Sequence, residues 1–133
     1  MAGYKKWIFV LIMIVFVVGG CTLHEELLPL HNEVLMYKLP YDLTYLRTFE
    51  ALETFDDWEI EETEKGKGLI RVRNLAYGSF GDADKRIITF YIKRYNRDMT
   101  TVQLAPESQR VLGGGMLLER IGEFLTEALA KRA

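Results

Sequence analysis

The chain has 133 residues, of which 49% are hydrophobic, and its 17 basic and 19 acidic side chains give a formal net charge of −2. Beyond an N-terminal targeting segment, this length is enough for one domain with one core. Nucleic-acid-binding domains present clusters of lysine and arginine. A slightly acidic chain therefore argues against a nucleic-acid partner.

Residues 1–20 have the three parts of a secretory signal peptide. Lys5 and Lys6 form the positive start, and Trp7–Val18 form an apolar stretch of about 12 residues. A membrane-spanning helix needs about 20 apolar residues, and the two glycines that follow are poor helix formers. We therefore expect residues 1–20 to be removed as a signal peptide, with an uncleaved signal anchor as the alternative.

The end of this segment, Val18-Gly19-Gly20-Cys21, resembles the lipobox of bacterial lipoproteins. The resemblance covers residues 1–21 and implies that Cys21 receives a diacylglyceryl group, becomes the mature N-terminus and is then N-acylated. Thr22, where an aspartate would retain the protein, resembles lipoproteins sent to the outer membrane. The implied location is the cell envelope, with a lipid anchor in the outer membrane facing the periplasm. The outer face of the cytoplasmic membrane is the alternative, and an ordinary buried cysteine is the competing interpretation of Cys21.

Residues 21–32 form the expected lipidated N-terminus and tether. Without Lys5 and Lys6 the chain keeps 15 basic and 19 acidic side chains, a net charge of −4. With Cys21 lipidated, no thiol is left for a disulfide, so the fold must be stabilised by packing.

Both histidines, His24 and His31, lie in the tether. No cysteine or carboxylate cluster accompanies them, so we expect solvated side chains and no metal site.

The next segment predicts a strand followed by an amphipathic helix. Glu33–Leu39 alternates as a strand, and Pro40 ends it. Asp42 is a plausible N-cap for a helix over Leu43–Phe55. The apolar stripe on this helix is expected to pack in the core and not to form a ligand site; it comprises Tyr45, Leu46, Phe49 and Leu52.

A charged hairpin comes next in the chain. Trp58–Thr63 and Leu69–Asn74 alternate between apolar and charged residues around a turn centred on Gly66. This register predicts that Glu61 faces Arg71 and that Glu59 faces Arg73. Such pairs fix the register, since a slip of one residue would turn every side chain to the other face.

The last third of the chain predicts a loop, two strands and a helix. Leu75–Asp84 is the loop, Lys85–Tyr95 and Met99–Ala105 are the strands, and Met116–Lys131 is the helix. The expected inward positions are Ile88, Phe90, Ile92, Val102 and Leu104 on the strands and Leu117, Ile121, Phe124 and Ala128 on the helix. We expect Trp58 and Phe124 in particular to be buried.

Residues 33–133 thus predict a single α+β domain with an antiparallel sheet of about five strands, in the order β-α-β-β-β-β-α, and two helices on one face. Over residues 33–132 this topology resembles the helix-grip domains of the lipoprotein subunits of the outer-membrane barrel-assembly machinery. No motif in the domain accompanies the likeness, so it carries over no functional residue.

The sequence contains no catalytic constellation above background, and we expect no enzyme activity, cofactor or metal. Asp82 and Asp84 lack the further oxygen ligands of a calcium loop. Residues 113–115 are three glycines before a helix, and they suit either close packing or an anion contact. The candidate partner contacts are aromatic and aliphatic side chains on a loop and on the outer face of the sheet: Tyr77, Phe80, Ile87 and Tyr91. The alternatives are loop aromatics that cap the core and a solvated sheet face.

The hypothesis that follows is a non-catalytic interaction or assembly module, held at the membrane by lipid on Cys21 and contacting another envelope protein. The alternative is a periplasmic carrier that binds an apolar ligand between the C-terminal helix and the sheet. A cavity at that place would favour the carrier, and a packed core with an exposed patch at Tyr77, Phe80 or Tyr91 would favour the module.

Overall fold

A computed structural model describes residues 30–77 and 86–132. Their elements are β1 (Val34–Tyr37), α1 (Tyr41–Glu53), β2 (Trp58–Glu64), β3 (Leu69–Asn74), β4 (Ile87–Arg94), β5 (Thr100–Leu104) and α2 (Gly114–Arg132), with short 3₁₀ turns at Leu75–Tyr77 and Pro106–Ser108. The predicted α+β fold and its order of elements are confirmed. The signal segment, Cys21 and Phe80 lie outside the described residues. Within the described ranges, no helix is long and apolar enough to cross a bilayer.

The five strands form one antiparallel sheet in the order β1-β5-β4-β3-β2. Both helices pack on the same face, and the inward positions predicted for β4 and β5 are all buried. The largest fully buried side chains are Phe90, Leu39, Leu52, Ile70, Ile88, Ile92, Leu104, Leu117, Ile121, Leu125, Val72 and Val102. Two edges remain, β1 on one side and β2 on the other.

Helix α1 begins at Tyr41, two residues earlier than predicted, and Asp42 is not its N-cap. The cap residue is Pro40, whose carbonyl accepts the Thr44 N–H at 3.0 Å and the Thr44 hydroxyl at 3.0 Å. Asp42 lies inside the first turn, where a negative charge is favourable to the helix dipole, and its carboxylate contacts Lys65 Nζ at 3.0 Å. Pro40 therefore caps the helix but does not end the strand, since β1 already ends at Tyr37.

The buried face of α1 is more polar than its sequence predicts. Thr44 and Thr48 are fully buried, whereas Leu46 is 50% exposed although it was expected on the core side. Each threonine hydroxyl donates to the carbonyl four residues earlier, and the Thr48 to Thr44 bond is 2.7 Å long. Such bonds satisfy the hydroxyls within the helix, so threonine can occupy positions where an apolar residue is expected.

The β2–β3 hairpin contains a bulge that corrects one predicted charge pair. Arg73 pairs with Glu59 as predicted, with 3.4 Å between Nη2 and Oε2. Arg71 pairs with Glu62 and not with Glu61, at 2.6 Å, because the register shifts between Ile60 and Glu62. The hairpin closes on a four-residue loop, residues 65–68, so the turn is not centred on Gly66. One extra residue in β2 is then needed to return Ile60 to the core face.

Helix α2 begins at Gly114, before the predicted Met116, and is rotated slightly from the expected orientation. Its buried side chains include Leu118 and Leu125 beside Leu117, Ile121 and Ala128, while Phe124 is only half-buried at the margin of the core. The prediction that Phe124 is buried was therefore wrong, and the prediction for Trp58, which is 5% exposed, is confirmed.

The glycines at the start of α2 have a packing role. Gly113 has φ +97°, and a Cβ built there would lie 2.8 Å from Cζ2 of Trp58. A Cβ on Gly114 would lie 3.1 Å from Leu104, and its N–H already donates to the Val111 carbonyl at 3.2 Å. The close-packing interpretation of these glycines fits this geometry.

Candidate functional site

The sheet face opposite the helices, termed the open face, collects the outward side chains of all five strands. One row crosses the entire sheet through direct strand partners: Val34, Gln103, Tyr91, Leu69 and Glu64. The side chains on this face become more charged from β1 towards β2. The open face therefore has an apolar half and a charged half.

The charged half, on β2 and β3, consists of side chains that pair with each other. Arg71 contacts Glu62 at 2.6 Å and also donates from Nε to the Thr89 hydroxyl at 3.3 Å. Arg73 contacts Glu59 at 3.4 Å. Exposed ion pairs of this kind contribute only about 0–1 kcal/mol each, but here they hold the arginines against the sheet. This half offers little unpaired charge to a partner.

The apolar half, on β1, exposes two large side chains that the sequence interpretation missed. Val34 is 49% exposed and Met36 is 44% exposed, both on the open face. Tyr91 lies half-buried two strands away, with the Lys93 ammonium 5.5 Å from its ring centroid. The sequence does indicate this exposure. Every residue of β1 is apolar, so the residues that face outward are apolar whichever way the strand is turned.

Of the predicted partner contacts, two lie on this face. Ile87 is half-buried opposite Arg73, and Tyr91 is half-buried opposite Leu69. They are four residues apart on β4, about 13 Å along the strand, so they do not form one cluster. Tyr77 ends the 3₁₀ turn that follows β3, and its side chain, like all of Phe80, lies outside what the structure describes.

Among the described residues, backbone groups along the β1 edge have no partner, and their direction follows from the ladder between β4 and β5. The Ala105 N–H donates to the Thr89 carbonyl at 2.8 Å, and the Tyr95 N–H donates to the Met99 carbonyl at 2.9 Å. Hydrogen-bonded pairs alternate along an antiparallel ladder. The odd-numbered residues of β5 therefore bond to β4, and its even-numbered residues bond to β1.

In the register of β1 with β5, Leu35 and Tyr37 are the partners of those even-numbered residues. The backbone N–H and C=O groups of Leu35 and Tyr37 therefore point towards β5 and bond to it. Those of Val34 and Met36 point away from it, along the free edge. The residues with exposed apolar side chains are the same residues that offer unpaired N–H and C=O groups.

The two edges of the sheet differ in how they are protected. Proteins protect edge strands with charges and bulges, because an unprotected edge pairs with other chains. β2 has four glutamates in seven residues and a bulge. β1 is short, but its four residues Val-Leu-Met-Tyr contain no charge. The β1 edge and the apolar half of the open face form the candidate contact surface.

The helix-covered side of the sheet is filled at its centre. Phe90 and Leu104 on the sheet, and Leu117 and Ile121 on α2, are all at most 1% exposed. An open groove of 560 Å³ lies at the margin, between β1 and the first half of α2, where it is lined by side chains such as Leu35, Leu118 and Met116. The carrier alternative requires a cavity beneath the centre of α2, but side chains fill that space.

His31 and Glu33 lie at the rim of that groove, 3.1 Å apart. The backbone hydrogen bond of Glu33, and after it the bond from His31, lower the pKa of the Glu33 carboxyl. Across residues 30–77 and 86–132, no group of three or more His, Cys, Asp or Glu side chains is arranged to hold a metal ion. His31 therefore has a carboxylate partner but no ligand set around it.

Three other groups have shifted pKa values. Burial raises the pKa of Tyr41 and of Tyr45, which are neighbours on α1 with ring centroids 6.2 Å apart. The Lys131 side chain lowers the pKa of Glu127 by a hydrogen bond on the exposed side of α2. A hydrogen bond with the Thr63 side chain opposes the rise in the pKa of Tyr45.

No protein-family model and no curated protein matches the chain. Among solved structures, the chain is similar to TTHA0849 from Thermus thermophilus, with 14% identity and a TM-score of 0.34, over 75% of this chain and 99% of that one. It is also similar to the Zhui aromatase/cyclase from a Streptomyces species, with 16% identity and a TM-score of 0.29, over 76% of this chain and 83% of that one. At these values neither similarity bears on activity.

Proposed function

We propose that this chain is a lipid-anchored protein of the bacterial cell envelope that serves as a non-catalytic interaction module for another envelope protein. The lipobox-like sequence ending at Cys21 supports the anchor and favours the outer membrane, facing the periplasm. The outer face of the cytoplasmic membrane is the second location. The anchor would confine the domain to one surface and raise its effective concentration for a partner there.

The observation that carries the interaction is the β1 edge, on which no other described strand is paired. Val34 and Met36 together offer two N–H donors, two C=O acceptors and two exposed apolar side chains. An extended segment of a partner can add to such an edge as a sixth strand, with main-chain bonds giving affinity and side-chain contacts giving specificity. Tyr91 lies further across the same face and would extend the contact.

The anchor is tested by replacing Cys21. Cys21→Ala should abolish incorporation of radioactive palmitate and leave a precursor that still carries residues 1–20. The wild-type chain expressed alongside is the control. A wild type that takes up no label, or a variant that is processed normally, would contradict the lipoprotein assignment.

The contact surface is tested with a photo-crosslinking amino acid placed at Met36 in the native membrane. A matched control places it at Leu46, which is 50% exposed on α1, away from the open face. We expect a discrete crosslinked protein from position 36 and none from position 46. Equal crosslinking at the two positions, or none at either, would contradict contact through β1.

A carrier of apolar ligands is the second candidate, and the 560 Å³ groove between β1 and α2 is the observation that favours it. The filled centre of the core weighs against it, since ligand pockets usually bury most of the ligand surface. Titration with a fluorescent fatty acid distinguishes the two: saturable binding that Leu118→Trp abolishes would favour the carrier.

A further inference from the structure

A second surface, separate from the β1 edge, is a cleft of 630 Å³ at one end of the sheet. Three elements form it: the first turn of α1, the β2–β3 turn and the last residues of β4. Chemically it is dominated by basic side chains, which are Lys65, Lys67, Lys93 and Arg94. One carboxylate, that of Asp42, also lines it, so the lining has a formal charge of +3.

This concentration of positive charge contrasts with the chain as a whole, which has a net charge of −2. A neighbouring cleft of 360 Å³ at the same end of the sheet adds Lys38, Arg97 and Arg132 against Asp98. A cleft lined by one sign of charge raises the local concentration of ligands of the opposite sign. The uneven distribution of charge therefore points to an anionic ligand at this end.

Two of the four cations in the larger cleft lack a carboxylate partner. Lys65 pairs with Asp42 at 3.0 Å, and Lys67 pairs with Glu64 at 3.4 Å. Among the described residues, Lys93 and Arg94 form no ion pair. They contact aromatic rings instead, on opposite faces of the sheet. Lys93 lies over Tyr91 on the open face, whereas the Arg94 guanidinium lies on the helix side, 5.1 Å from the centroid of Tyr41. A ring contact orients a cation but leaves its charge available.

The walls of the cleft are fixed by backbone contacts. The Tyr41 hydroxyl donates to the Lys65 carbonyl at 2.5 Å, which joins α1 to the β2–β3 turn. The Ile92 N–H donates to the Gly68 carbonyl at 2.7 Å, which joins that turn to β4. The three elements that line the cleft are thus held together before any ligand arrives, which reduces the entropy cost of binding.

We infer that this cleft binds a phosphate group, with Arg94 as its main ligand and Lys65 and Lys67 as further cations. The planar guanidinium of Arg94 matches two phosphate oxygens at once, and the exposed ammonium groups of Lys65 and Lys67 add point charges. Lys65, Lys67 and Arg94 against Asp42 give this side of the cleft a formal charge of +2, which favours an anionic group. The phosphate could be borne by a free phosphomonoester or by a lipid headgroup, and these share the recognition chemistry. The site depends neither on Cys21 nor on the β1 surface.

The test is isothermal titration calorimetry on the full chain in a non-ionic detergent, at fixed ionic strength. The probes are inorganic phosphate, glycerol 3-phosphate and glycerophosphoglycerol, the last being a phospholipid headgroup without its acyl chains. The cleft variant is Lys67→Gln with Arg94→Gln. The matched control is Arg110→Gln with Arg120→Gln, which removes the same two charges near the opposite end of the sheet.

We expect at least one probe to bind saturably to the wild type, and its Kd to rise about tenfold or more in the cleft variant, since tenfold requires only about 1.4 kcal/mol. The control should change the Kd less than about threefold. Should the cleft variant fail to fold, Lys67→Gln alone, at a 73% exposed side chain, should still weaken binding measurably.

Tighter binding of inorganic phosphate or glycerol 3-phosphate would identify a free ligand, and tighter binding of glycerophosphoglycerol would identify a headgroup; either supports the site. No saturable binding of any probe by the wild type would overturn it. So would an equal loss of affinity in the cleft variant and the control.

Discussion

Replacing Gly68 with alanine perturbs the contact between the β2–β3 turn and β4. Gly68 has φ +67°, and a Cβ there would lie far inside van der Waals contact of the Ile92 carbonyl oxygen and 2.9 Å from the Tyr41 hydroxyl. The left-handed conformation costs an L-residue about 1–2 kcal/mol. Displacing the neighbouring backbone adds about 1–3 kcal/mol. Gly68→Ala should therefore lower the free energy of unfolding by about 2–5 kcal/mol.

The measurement is urea unfolding followed by circular dichroism, where this loss corresponds to a midpoint about 1–3 M lower. Gly66→Ala is the matched control in the same turn. No atom lies within 4 Å of its Cβ position, and its φ is not positive. The control should stay within about 1 kcal/mol of the wild type. Equal midpoints for the two variants would refute the assigned conformation of the turn.

Three further outcomes are expected. Ser108→Ala should cost about 1–3 kcal/mol in urea unfolding, because the Ser108 hydroxyl is the acceptor for the buried Thr89 N–H at 2.9 Å; an unchanged midpoint would contradict this. Trp58→Ala should cost about 3–5 kcal/mol and Phe124→Ala distinctly less, since only the tryptophan is fully in the core; the reverse order would contradict the placement of α2. Burial raises the pKa of Tyr41, so its contribution to stability is present below about pH 10 and is lost as the pH rises through the folded-state pKa; stability measured against pH should fall more steeply in the wild type than in Tyr41→Phe.

The alternation of apolar and polar residues was sufficient to predict most of the sheet. Ile88, Phe90 and Ile92 in β4 and Val102 and Leu104 in β5 occupy alternate positions, with polar residues such as Thr89, Lys93 and Gln103 between them, so the pattern indicates which face points to the core. In β1 the alternation is absent, because apolar residues occupy both faces. The strand itself could be predicted from its composition, but the exposure of Val34 and Met36 depends on where the helices lie.

The misassigned partner of Arg71 has a different cause. Glu61 and Glu62 are chemically equivalent partners, and no glycine or proline marks the bulge between them. The turn decides which glutamate pairs with Arg71, since a four-residue loop shifts the ladder by one position.

The threonines of α1 make the buried face of that helix hard to predict from the sequence. Their internal hydrogen bonds satisfy the hydroxyls, and a scale of residue hydrophobicity does not include such bonds.

The bulge in β2 also bears on how this chain can vary in length. Deleting one residue from a regular strand inverts every side chain beyond the deletion. Here Ile60 and Glu62 already pair with consecutive residues of β3, Val72 and Arg71. Removing Glu61 would join them directly and leave Trp58 and Ile60 on the core face. We therefore expect homologues with a single-residue gap at position 61, and an alignment that shifts such a gap along β2 would misplace its core.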